Sequence, residues 1–161
     1  MTYDRLGSDL ALTRYSGVPS PLPLEVADSW GSVDLQVVSG GRGGLPRRAD
    51  VLDLGAVAGR ANLAQALITR LLTRQGALAP LGHADYGSRL TELIGQLNDE
   101  NTRNLARLFT IEAVKREPRV RELLDLTITA VPGQPDTLRV GFSVLPVNDD
   151  DPLALTLEVS L

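Results

Sequence analysis

An α+β fold is predicted for this 161-residue chain: three amphipathic helices packed on a C-terminal antiparallel three-stranded meander with an open edge strand, behind an irregular N-terminal extension. Two observations lead there. Between residues 62 and 119, leucines and other apolar residues recur at three- and four-residue intervals, the spacing that gives a helix one face to bury. From residue 126 to the end the interval changes to two, which places alternate side chains on opposite faces of a strand. Proline and glycine punctuate the first fifty residues instead, with Pro19, Pro21 and Pro23 in one segment and Gly40, Gly41, Gly43 and Gly44 in another. Extended or looped chain is expected there. The sequence therefore divides into an irregular extension over 1–50 and an α+β domain over 51–161.

Within the extension, Val33 to Val38 has the bounds of one short strand, with Gly31 before it and Ser39-Gly40 after it. Trp30 is large enough to anchor that loop on the domain, or on a neighbouring protein. The first helix carries Leu63, Leu67 and Leu71 with Ile68 and Leu72 beside them; Asn62 is its expected N-cap and Gly76 its expected stop. The second has Asp85 or Ser88 as cap and Leu90, Leu93, Ile94 and Leu97 as its stripe. The third is capped by Asn98 or Asp99 and buries Leu105, Leu108, Phe109 and Ala113. Pro118 interrupts the helical pattern, so a short turn is expected from Pro118 to about Leu123.

Three alternating segments follow: Leu126, Ile128 and Ala130; then Leu138, Val140, Phe142 and Val144; then Leu153, Leu155, Leu157, Val159 and Leu161. Turn-rich breakers at 132–136 and 146–152 fit two hairpin connections, hence the meander. The last strand has free backbone groups on its outer side unless an N-terminal strand or another chain pairs with them. It carries one charge, Glu158, and no proline beyond Pro152, so its edge is poorly protected.

Composition excludes several classes. An apolar fraction of 43% with 22% charged residues is that of an ordinary folded domain, and no apolar run reaches the roughly 18 residues a membrane helix needs. The N-terminus lacks a secretory pattern, so cytoplasmic synthesis without membrane insertion is expected. The absence of cysteine removes thiol catalysis and thiolate metal sites, and the single histidine, His83, leaves no imidazole cluster. No cofactor is expected. Residues 60–121 hold ten Lys and Arg against six Asp and Glu, whereas residues 122–161 hold one against seven. A mildly basic centre and an acidic tail can orient neighbours in an assembly but are too weakly charged to argue for nucleic acid. The glycine-rich run at 40–44 lacks the Gly-Lys-Ser or Gly-Lys-Thr ending of a phosphate loop, which leaves a flexible connector.

An enzyme would have to work through carboxylates. Glu92, Glu112, Glu117, Asp85 and Asp99 are the available acids, as in a cell-wall glycan hydrolase, yet nothing in their spacing selects a pair. Glu92 suits an ion pair with Arg89. Glu117 and Arg119 flank a proline where helices hand over to sheet, and by residue type they can pair internally or face a partner.

The order Asn-Leu-x-Gln-Ala-Leu from Asn62, Arg-Leu-Leu-Thr from Arg70, Tyr-Gly-Ser from Tyr86 and Glu-Pro-Arg from Glu117, followed by alternating strands, resembles the baseplate-wedge and sheath-initiator family of contractile phage tails, type VI secretion and related injection particles. Members have also carried a lysozyme-like label. The resemblance covers Asp53 to the C-terminus and implies a non-enzymatic structural part that joins the baseplate wedge to the sheath. It further implies that Glu117, Pro118 and Arg119 contact wedge proteins, and that the strand with Leu153, Leu155, Thr156, Leu157, Glu158 and Val159 templates the first sheath ring by strand addition. The resemblance implies sheath and wedge proteins as partners, with spike or hub proteins as further ones, and six copies of this chain per ring. A generic adaptor that self-associates through its free edge is the further alternative.

Overall fold

The computed structural model describes residues 6–14, 26–27, 33–35, 37–39, 52–147 and 149–161. Trp30 and the glycine-rich run at 40–44 lie outside them. In chain order the described elements are β1 (Ser8–Leu10), β2 (Leu12–Arg14), β3 (Val26–Ala27), β4 (Val33–Leu35), β5 (Val37–Ser39), β6 (Leu52–Leu54), β7 (Ala56–Ala58), α1 (Gly59–Leu72), α2 (Glu100–Lys115), β8 (Val120–Val131), β9 (Gln134–Pro146) and β10 (Leu153–Ser160). Short 3-10 turns occupy Ala79–Leu81 and Leu90–Leu93.

The expected meander forms. β8 pairs antiparallel with β9 and β9 with β10, and Gly133, at φ 78°, turns the first hairpin. Along β10 Leu153, Leu155, Leu157 and Val159 are buried, and along β9 Leu138, Val140, Phe142 and Val144 are; their period of two faces them all toward the helices. Leu63, Leu67 and Leu71 from α1 and Phe109, Ala113 and Val114 from α2 close the same core. Burying each such leucine stabilises the fold by about 1.5–3 kcal/mol relative to leaving it in water.

Among the described residues two α-helices, rather than the expected three, cover the sheet. The segment expected to be the second helix makes only the Leu90–Leu93 turn: Leu90 and Leu93 are buried, then Gly95 takes φ 86° and reverses the chain, leaving Ile94 and Leu97 at 56% and 81% exposure. Half of the apolar stripe has nothing to pack against, so the pattern cannot continue as a helix. Other boundaries differ for local reasons. α1 begins at Gly59, so Asn62 lies inside it instead of capping it, and it ends at Leu72, before Gly76, where Thr73 Oγ1 donates to the Thr69 carbonyl. α2 is capped as expected, with Asp99 Oδ1 accepting from the Thr102 N–H at 2.8 Å. The turn after Pro118 is shorter than expected, because the Val120 N–H donates back to the Glu117 carbonyl and β8 starts at once.

Residues 6–12, which the sequence places in the irregular extension, are built into the body. Asn62 Nδ2 donates to the Leu6 carbonyl, Gln65 Nε2 to the Leu10 carbonyl, and Gln65 Oε1 accepts from the Leu12 N–H, while β1 pairs with β7. Two buried amides on α1 thus satisfy a strand's backbone where a leucine could not. β10 also has a neighbour on its outer side: β3 runs parallel to it, with Thr156 opposite Val26 and Leu157 opposite Ala27. The open edge is therefore partly closed. Among the described residues the sheet order is β3, β10, β9, β8.

The Tyr86-Gly87-Ser88 stretch stitches the loop to the end of α1. The Ser88 N–H donates to the Thr73 carbonyl, Gln75 N–H to the Ser88 carbonyl and Gly76 N–H to the Tyr86 carbonyl. Gly87 has φ 103°, and a Cβ there would sit 2.7 Å from the carbonyl oxygens of Thr73 and Arg74. Backbone cannot yield as a side chain would. Gly87→Ala should destabilise the fold by on the order of 3 kcal/mol, strain and overlap together, measurable by urea unfolding; an unchanged midpoint would refute this account of the motif.

Candidate functional site

The turn between α2 and β8 holds a buried acid bonded by two arginines. α2 ends at Lys115, Arg116 caps it, and the Glu117 N–H reaches back to the Val114 carbonyl at 3.1 Å. That bend points the Glu117 side chain inward, where the residue is only 3% exposed. Arg70, from the last turn of α1, donates Nη2 to Glu117 Oε2 at 3.1 Å, and Arg119 donates Nε to Oε1 at 2.6 Å. Pro118 stands exposed at the outside of the turn and sets the chain direction that lets residues 117 and 119 meet.

The two guanidiniums are themselves held. Arg70 lies over the Tyr86 ring, 4.6 Å from its centroid, a cation–π contact. Arg119 Nη1 donates to the Leu6 carbonyl at 3.1 Å, the oxygen that Asn62 also engages at 2.9 Å. One cluster therefore joins the N-terminal segment, α1, the Tyr86 loop and the α2–β8 turn. Burial acts most strongly on the Glu117 carboxyl and opposes its ionisation, yet the Arg119 bond and charge, followed by those of Arg70, together hold its pKa below the ordinary 4.5. Burial pushes the Tyr86 phenol up from its ordinary 10.0, with Arg70 pulling the other way.

In the isolated chain Glu117 and Arg119 thus face each other and Arg70, and Glu117 has no free oxygen to offer a partner. Arg119, with 26% of its side chain exposed, and Pro118 are the outward parts of the turn. Of the residues expected to receive a sheath strand, Leu153, Leu155, Leu157 and Val159 point into the core. Any strand addition there would use the backbone of β10 and the outer-face side chains Thr156 and Glu158, the latter bonded to Arg139 at 2.6 Å.

Of the remaining acids, Glu92 and Glu112 both act on the exposed Arg89. Glu92 forms an exposed ion pair with Arg89 at 2.8 Å. Its hydrogen bond from Arg89 lowers its pKa, as the Thr102 backbone N–H lowers that of Asp99. Asp85 and His83 are exposed on the loop, where they line an open cleft of about 430 Å³ with Arg70, Tyr86 and Arg116. Among the described residues no group of three or more His, Asp or Glu could hold a metal, and no helix is long and apolar enough to cross a membrane.

The sequence placed Asn62, Gln65 and Arg70 in its motifs but did not show their roles: the first two hold the N-terminal segment and Arg70 pairs with Glu117. A signal existed: Arg70 sits three residues after Leu67 and seven after Leu63, on the buried stripe of α1, where a charge must be paired.

No family model and no curated protein matches the chain. Among solved structures, a protein from Geobacter sulfurreducens named "putative tail lysozyme" is similar over 62% of this chain and 88% of its own, with 20% sequence identity and a TM-score of 0.53. That likeness shows a shared fold.

Glu117 gives a pH prediction. A folded pKa held below 4.5 means that its contribution is complete above that value and is lost as pH falls through the folded pKa. Glu117→Gln should cost about 3 kcal/mol near pH 7 by leaving two guanidiniums without their acid, and should flatten the loss of stability below pH 4.5. Chemical unfolding of both proteins across that range checks it; parallel acid limbs would show that this carboxyl is not coupled to folding. Arg119→Ala should cost less, about 2 kcal/mol, because Arg70 remains on Glu117.

Proposed function

We propose that the chain is a non-enzymatic structural component of a contractile injection particle, placed in the baseplate between wedge and sheath. Three observations support this reading. The fold is shared with a protein named for phage tails. The ordered motifs of the resemblance occupy structural joints: Asn62 and Gln65 hold the N-terminal strand, Gly87 closes on α1, and Glu117 is clamped by Arg70 and Arg119. The sheet ends in β10, whose outer edge is met by another strand only at Thr156 and Leu157 among the described residues. That last observation carries the proposal, since a sheet edge with so few strand partners among the described residues is one that a partner's strand can join.

In this reading a sheath segment pairs along β10 and the first sheath ring builds from there, while the outward face of the Pro118–Arg119 turn meets wedge proteins. Glu117 serves that contact indirectly, by fixing the direction of Arg119. A cell-wall hydrolase is the competing reading, suggested by the name of the Geobacter protein. The clamping of Glu117 between Arg70 and Arg119 favours the structural one.

Deleting the last strand cannot test the proposal, because its leucines are core. Photo-crosslinking residues placed singly at the exposed positions Ala154 and Ser160, in the native cell, leave that core intact. Both should capture the sheath protein, and Leu81, exposed on the opposite loop region, should not. Capture of no sheath from either strand position, with the chain folded and abundant, would overturn strand addition at β10.

A further inference from the structure

The strand that meets β10 from outside belongs to a loop and not to the meander. β2 and β4 pair with each other, Arg14 opposite Val33, and so close the connection 15–32 at its base; β3 lies within that connection. Among the described residues its ladder on β10 spans two positions, Thr156 with Val26 and Leu157 with Ala27, and it runs parallel, the weaker pairing per residue. β9 holds the other side of β10 antiparallel at eight positions, Leu153 to Ser160. Leu153, Leu155, Leu157 and Val159 fix β10 in the core besides. β10 therefore keeps its ladder and its buried face without β3, and the β2–β4 pair keeps the ends of the loop together when β3 leaves. Continued backward in the same register, the β3 ladder meets Pro23 opposite Leu153, and proline has no N–H to donate.

We propose that β3 is a placeholder: it occupies the β10 edge in the free chain and is displaced when a partner's strand pairs along β10. The inference rests on the strand-addition reading above and adds how the edge is kept until it is used. A bare edge of that length pairs with any exposed strand, one from a second copy of the chain included. A strand tethered beside it suppresses such pairing, because its effective concentration at the edge is high whatever the concentration of the protein. An entering strand that follows β10 along its length forms a longer ladder than the two positions of β3, so the exchange runs toward the partner.

The chain has no cysteine, so one engineered pair can lock β3 in place. Val26→Cys with Thr156→Cys puts the thiols on directly opposite residues, and neighbouring strands about 4.8 Å apart lie within disulfide reach. Residue-resolved hydrogen exchange of the full chain is read first. In the natural chain and the reduced variant, the amides that join β3 to β10 at Val26, Ala27, Thr156 and Leu157 should exchange about a hundredfold faster than those of the β9–β10 ladder, at a rate that low urea leaves unchanged, the mark of local opening. Oxidation should slow them about tenfold or more. A photo-crosslinking residue at Ala154 of the same variant, in an extract of the native cell, should then capture the sheath protein from the reduced form and lose it in the oxidised form. Failure of the disulfide to form in the folded chain, or exchange at β3 as slow and as urea-dependent as in the β9–β10 ladder, would overturn the placeholder without touching strand addition. Equal sheath capture by both forms would overturn displacement alone, and capture by neither would overturn strand addition at β10 and displacement with it.

Discussion

A carboxylate taken out of water must be met by opposite charge, and Glu117 is met from two directions. Arg70 reaches it from α1 and Arg119 from the first residues after the turn. Because Arg119 also bonds the Leu6 carbonyl and Arg70 also stacks on Tyr86, satisfying that one acid fixes four parts of the chain relative to one another. The apolar core would tolerate small shifts of α1 against the sheet, since dispersion is weakly directional. Charge-assisted bonds at 2.6 and 3.1 Å would not. The hydrophobic effect supplies the driving force here, and the ion cluster supplies the register.

The same arrangement recasts the motifs. Asn62, Gln65, Gly87 and Glu117 look from the sequence like an ordered signature, and in the structure each is a joint between segments that are distant in sequence. Such joints define a shape. They leave the outward surface of the turn, the cleft at Tyr86 and the outer edge of β10 free to differ in what they meet.

What was legible in the sequence followed from periodicity. The alternation in Leu138 to Val144 and Leu153 to Val159 gave both strands and their buried faces, because a period of two has no other reading in a sheet with one covered side. The stripe of α1 and the Asp99 cap of α2 were legible for the same kind of local reason. Ile94 and Leu97 misled, since a helical interval states only that residues could share a face, and Gly95 decided otherwise. The pairing of β3 with β10 and the docking of residues 6–12 rest on contacts across more than fifty positions, which no local pattern encodes. At the candidate site, the sequence singled out Glu117 and Arg119 as special and left open what they face. Arg70 was the missing third member, visible only as a charge on an apolar stripe.

We propose that this fold serves assembly rather than hydrolysis. Affinity purification of the chain through an N-terminal tag, from the cell that makes it, with mass spectrometry of what is retained, tests this most directly. The account predicts a sheath protein and large wedge proteins in stoichiometric recovery. A monomer recovered without them, whose preparation cleaves cell-wall glycan and loses that activity when one carboxylate is replaced, would contradict it.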